Sequence, residues 1–135
     1  KKPFVNMLVA VDANIILSAL LGGKSSAILF DGRFTFITTD FTILEVEKYL
    51  LRFAKKLHLP ISELETAIEL LPIQSYSTTF YSHQVLAAEK MISHIDSKDV
   101  DILALALHFN CYLWSQDKDF DQTGYTKILK TYQFL

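Results

Sequence analysis

Val5-Asn6-Met7-Leu8-Val9-Ala10-Val11-Asp12-Ala13-Asn14 carries most of the information about the fold. Val5 to Asp12 is rich in β-branched and apolar residues and reads as a strand buried on both faces. Strands of that kind belong to parallel sheets covered on both sides. The apolar run stops abruptly at Asp12-Ala13-Asn14, and Ile15 to Leu21 then reads as a helix. A buried strand that passes straight into a helix is the first half of a βαβ unit.

The rest of the chain repeats the alternation. Gly22-Gly23 breaks the first helix, and Ser25 or Ser26 caps a short helix through Phe30 before Asp31-Gly32 turns the chain. Phe34 to Thr38 reads as a second strand. Thr39 or Asp40 caps a longer helix whose apolar stripe is Ile43, Leu44, Tyr49, Leu50, Phe53 and Leu57, closed by Pro60. Ser62-Glu63-Leu64-Glu65 matches a capping box and opens a helix to Leu71. Ile73 to Phe80 reads as a third strand, Ser82 to Ile92 as a helix, and Asp96 as the start of another through Leu107. Cys111 to Ser115 is a short buried strand, and Tyr125 to Leu129 a last one. Strands and helices taking turns imply an α/β fold with a mostly parallel sheet covered on both faces. With no internal repeat or linker, residues 1–135 read as one domain.

Composition limits the function classes. Half of the 135 residues are hydrophobic, 21% are charged, and Gly and Pro number only four and three, which describes an ordered core and not a disordered chain. No apolar stretch reaches the roughly 18 residues of a membrane span, and Lys1-Lys2-Pro3 precedes too short a run for a signal peptide. The expectation is a soluble, cytoplasmic protein. The single cysteine, Cys111, excludes an internal disulfide. A formal net charge of −2 gives no global basic footprint, so any contact with nucleic acid has to rest on local patches or bound cations.

The acidic residues fall in telling places. Ligands in parallel α/β sheets bind at the carboxyl ends of strands, and Asp12 and Asp117 follow Leu8-Val9-Ala10-Val11 and Tyr112-Leu113-Trp114-Ser115 directly. Each also has a plain structural reading, Asp12 as a helix cap and Asp117-Lys118-Asp119 as a solvated turn. Glu45, near a helix start, sits between apolar neighbours, whereas Glu47 projects about 200° away. Asp96, Asp99 and Asp101 crowd a single helix start, more carboxylates than capping needs, and like charges repel unless a cation or solvent separates them. Oxygen ligands of this kind suit Mg²⁺ or Mn²⁺. Zinc fits poorly, since His58, His83, His94, His108 and Cys111 show no ligand pair at helical spacing. Gly22-Gly23-Lys24-Ser25 lacks the pattern of a phosphate loop, and no nucleophile elbow is present.

Taken in order, these segments resemble PIN domains. Val9-Ala10-Val11-Asp12-Ala13-Asn14 resembles the opening strand and Asp-x-Asn of that family, and Leu44-Glu45-Val46-Glu47-Lys48-Tyr49-Leu50 its second acidic motif. Asp96-Ser97-Lys98-Asp99-Val100-Asp101-Ile102-Leu103-Ala104 and Leu113-Trp114-Ser115-Gln116-Asp117-Lys118-Asp119-Phe120 are similar to the third and fourth. The resemblance spans Val5 to about Leu129. It implies a three-layer α/β/α sandwich and a metal-dependent endoribonuclease using Mg²⁺ or Mn²⁺. By position it assigns Asp12, Glu45, Asp99 and Asp117 to the metal site, Asp119 and Asp101 as auxiliary ligands, and Asn14 and Ser115 as supporting groups. The third motif usually has one Asp, so its ligand is ambiguous here. Lys98 and Lys118 are read either as solvated charge or as contacts to the acidic rim or phosphate.

PIN domains of this size further resemble VapC-type toxins, which implies an RNA substrate, an antitoxin partner and a homodimer. Two other classes compete. One is a PIN-like binding or assembly module without activity. The other is a receiver-like signalling domain, which would want adjacent acids after its first strand where Asp12 stands alone.

Overall fold

A computed structural model describes residues 7–92 and 98–135. Five strands form one parallel sheet in the order β3-β2-β1-β4-β5: β1 (Met7–Val11), β2 (Phe34–Thr39), β3 (Ile73–Tyr76), β4 (Tyr112–Trp114) and β5 (Ile128–Leu129). The helices are α1 (Ala13–Leu20), α2 (Ser25–Leu29), α3 (Asp40–Leu57), α4 (Ile61–Leu70), α5 (Thr78–Tyr81), α6 (Val85–Met91) and α7 (Lys98–Phe109). Alternation along β1 divides the core. Val9 and Val11 face α1 to α4, together with Phe36, Trp114, Val46 and Leu50. Ala10 faces the other way, into a layer of Tyr81, Ala88 and the all-apolar run Ile102 to Ala106 of α7. The architecture is a three-layer α/β/α sandwich, and β1 is buried on both faces as its composition requires.

Several local expectations are revised. Residues 78–81 are helical, although the third strand was expected to run to Phe80. Its partner β2 supplies the reason: the β2–β3 register runs out at Thr39 opposite Tyr76, and β2 then passes into α3, so the chain beyond Tyr76 has no strand to pair with. The last strand shrinks to Ile128–Leu129 because β4 offers only Leu113 and Trp114 as partners. Helix α4 begins at Ile61 behind Pro60, which places Ser62 inside the first turn and leaves the expected capping box unformed. On α3 the buried stripe is Val46, Leu50 and Ala54, while Leu44 and Tyr49 are exposed. The expected start at Asp96 lies outside the described residues, as does His94.

Two turns lead the chain out of helices and back toward the sheet. Gly22 takes φ +87°, and a Cβ on Gly23 would lie 2.9 Å from the Ser18 carbonyl oxygen, so this turn requires glycine. At the end of α7, Asn110 adopts φ 51°, a conformation asparagine tolerates better than most residues. Cys111 N–H then donates to the Ala106 carbonyl at 3.1 Å, and Tyr125 donates its hydroxyl to the Cys111 carbonyl. This pins the start of β4 beneath α7.

Candidate metal centre

The order of the sheet creates the site. β1 is flanked by β2 on one side and β4 on the other, so the chain leaves β1 in opposite senses and a crevice opens at its carboxyl end. Such switch points are where parallel α/β sheets bind ligands. Asp12 follows β1 and Ser115 to Asp117 follow β4, while Asp12 N–H donates to the Trp114 carbonyl at 3.1 Å, locking the two strand ends together.

Asp12 is 7% exposed and performs two tasks at once. As N-cap of α1 its Oδ1 accepts from Ala13 N–H at 2.8 Å, and its Oδ2 accepts from the Ser115 hydroxyl at 2.7 Å. Ser115, fully buried, also accepts from Asp117 N–H at 3.0 Å, and Asp117 Oδ1 accepts from Asp119 N–H at 2.9 Å. Ser115 thereby orients both acids. Asp99 arrives from the first turn of α7 and is 8% exposed. One carboxylate oxygen from each of Asp12, Asp99 and Asp117 lies within 4.8 Å of the others.

Glu45 reaches the same place from α3. It lines a cavity of about 190 Å³ with Asp12, Asn14, Lys98, Asp99 and Asp117, without belonging to the tight trio. Thr39 caps α3, accepting from Thr42 N–H at 2.8 Å, and so fixes the helix that carries Glu45. Thr38, fully buried, donates to the Val11 carbonyl at 2.8 Å and steadies the peptide before Asp12. Neither threonine nor Tyr49, which also lines the cavity, is singled out as a site residue by the sequence. The threonines' only signal is polarity at a strand end, shared with many turn residues, and Tyr49 reads as part of the apolar stripe of its helix.

Two acids go elsewhere. Tyr81 donates its hydroxyl to Asp101 Oδ2, turning that carboxylate toward α5 and away from the trio. Asp119 meets Asp117 through its backbone N–H, and its carboxylate is outside the cluster. Lys118 does not line the cavity, whereas Lys98 does.

The electrostatics call for positive charge. Burial holds the Asp12 carboxyl above its ordinary range; the Ser115 and Ala13 hydrogen bonds pull it back, and the Asp117 carboxylate pushes it up again. The donor set is wholly carboxylate. Oxygens about 2.1 Å from a Mg²⁺ ion lie up to about 4.2 Å apart across it, so the trio fits such an ion with little closure. A larger cleft of about 290 Å³ between α3 and α4, lined by Leu44, Leu51, Ile61, Leu64 and Ile68, is mainly apolar and offers no comparable chemistry.

The family model of the PIN domain matches residues 10–133. The chain belongs to the PIN-domain family. This PIN domain is similar in fold to three solved structures. One is a toxin-antitoxin complex from Klebsiella pneumoniae (20% identity, 90% of this chain and 95% of that one, TM-score 0.67). Another is VapBC2 from Rickettsia felis bound to a DNA fragment from the promoter (16% identity, 92% and 98%, TM-score 0.67). A third is FitAcB from Neisseria gonorrhoeae (15% identity, 90% and 96%, TM-score 0.51). No curated protein matches the sequence. The receiver-like alternative is set aside, because β1 here is flanked by β2 and β4 and a receiver's first strand by its second and third. No helix among the described residues is long and apolar enough to cross a membrane.

Proposed function

We propose that this PIN domain is a divalent-cation-dependent endoribonuclease. The observation that carries the proposal is the convergence of Asp12, Asp99 and Asp117 oxygens within 4.8 Å at the switch point of the sheet. Those three residues would hold Mg²⁺ or Mn²⁺, and Glu45, which lines the same cavity, completes the acidic set. When bound, the cation supplies a water of lowered pKa and stabilises charge on the phosphate. Ser115 partly offsets the burial that raises the Asp12 pKa and fixes its orientation, and Asn14, exposed and lining the cavity, orients the water or the phosphate. Asp101 has a positioning role through Tyr81 in place of the auxiliary ligation inferred from sequence, and position 119 steadies Asp117 through its backbone N–H.

A toxin role follows from the likeness to toxin-antitoxin complexes. In this reading a protein antitoxin restrains the nuclease, and the domain pairs with a second copy. Cleavage of single-stranded RNA by the purified protein, with Mg²⁺, Mn²⁺ or EDTA, tests the central claim. Cation-dependent hydrolysis in wild type that disappears in Asp99→Asn is the expected result. A folded wild type inert on a broad panel of RNAs would leave the binding-module reading in its place.

A further inference from the structure

A second cleft, of about 200 Å³, adjoins the carboxylate cavity and is lined by Phe41, Glu45, Lys48, Tyr49, Arg52 and Lys98. Glu45, Tyr49 and Lys98 line both spaces, so the two are continuous. Positions 41, 45, 48, 49 and 52 recur at helical spacing and form one stripe of α3, about 16 Å long at 1.5 Å per residue. Phe41 and Tyr49 are 39% and 49% exposed, so this is a surface feature and not the edge of the core.

The residue types are unusual for a solvated helix face in a chain of net charge −2. Three cations and two aromatic rings stand beside a cluster of acids that, alone, would repel a phosphodiester. The Arg52 guanidinium carbon lies 5.4 Å from the Tyr49 ring centroid, a cation–π contact that restrains the arginine and reduces the entropy lost when it meets an anion. Cations that track a backbone, interleaved with rings on which bases stack, are what single-stranded nucleic acid requires. A duplex keeps its base faces covered and has no use for the rings.

We propose that this stripe of α3 is the bed for the single-stranded RNA next to the bond that is cut. Lys48, Arg52 and Lys98 take the phosphates, and Phe41 and Tyr49 take the bases. The inference rests on the nuclease reading and adds where the substrate lies and why it must be single-stranded. The rival occupant is a second protein chain covering Phe41, Leu44 and Tyr49.

The test is a fluorescence-anisotropy titration of the full chain with a short labelled single-stranded oligoribonucleotide in EDTA, over a range of salt. The side chains of Tyr49 and Arg52 are exposed, so their removal spares the core. Arg52→Ala should weaken binding about fivefold or more and lower the slope of log affinity against log salt by about 0.7, one phosphate contact on a single strand. Tyr49→Ala should weaken it about fivefold or more with the slope unchanged, and Tyr49→Phe should restore it. Unchanged affinity and slope in both alanine variants would overturn the proposal. So would variants that dissociate a dimer in sedimentation while binding RNA normally, which would assign the stripe to a protein contact. The Mn²⁺-induced rise in melting temperature, read on the same samples, separates the two claims. Wild type that binds RNA through the stripe but shows neither that rise nor cleavage keeps the bed and loses the nuclease. Cleavage and the rise both intact, with RNA binding insensitive to Tyr49 and Arg52, loses the bed alone.

Discussion

Asp12 shows how one side chain can satisfy a structural reading and a functional one together. Its Oδ1 caps α1, and its Oδ2, held by Ser115, faces the other acids. Burial raises its pKa above the ordinary 3.8, so the fold favours the protonated carboxyl. The contribution of Asp12 to metal-free stability is therefore fully present below pH 3.8 and is lost as pH rises through the higher folded value. Asp12→Asn removes that loss while keeping an oxygen for the cap. We expect the variant to melt higher than wild type in EDTA at neutral pH, and to lose both cation-induced stabilisation and RNA cleavage. Calorimetry beside a cleavage assay checks this, and near-normal cleavage by a folded Asp12→Asn would refute the proposed role. A second contrast concerns α7. Asp99→Asn should abolish the cation-induced shift, whereas Asp101→Asn should retain it and lower stability by about 1 kcal/mol through a weaker bond from Tyr81. The reverse pattern in thermal melts would exchange the two assignments.

At the scale of elements, the decisive positions are strand ends and helix starts. Thr39 closes β2 and caps α3, so Thr39→Ala should cost about 1 kcal/mol in denaturant unfolding. It should also raise the cation concentration needed for half-maximal stabilisation, because Glu45 rides on the freed helix. A variant with lower stability but unaltered cation dependence would detach Glu45 from the site. Much of this level was legible in the sequence. The apolar runs before Asp12 and Asp117 announced buried strands that deliver acids to one edge, and the three-residue step from Asp96 to Asp99 marked the acidic start of α7. What escaped was tertiary. Residues 78–81 have strand-like composition but no neighbour to pair with, and Leu44 and Tyr49 have helical spacing yet lie outside the buried stripe because α4 and the sheet claim the face of Val46 and Leu50. Asp101, an auxiliary ligand by resemblance, instead accepts from the Tyr81 hydroxyl, a contact that only the tertiary fold brings about.

Across the whole molecule, the acidic cluster is a region the fold holds together against repulsion. A cation that binds only the folded chain stabilises it by about 2.7 kcal/mol at a hundred times its Kd. Melting temperature should therefore climb with Mn²⁺ or Mg²⁺ and return to baseline on chelation, and a monovalent salt at equal ionic strength should not reproduce the effect. A melting temperature indifferent to divalent cations would argue that the acids are only solvated.

The hydrogen bond from Ser115 to Asp12 joins residues 103 apart, and no part of the trio is complete until β4 has docked beside β1. At roughly 5–20 residues per second of synthesis, β1 therefore waits for several seconds or more before Ser115 and Asp117 exist. During that interval the nascent chain carries Asp12 and, later, Glu45 and Asp99, but no complete trio. A chain proposed to cleave RNA would thus lack its full acidic trio for as long as its own message is still being read toward residue 117.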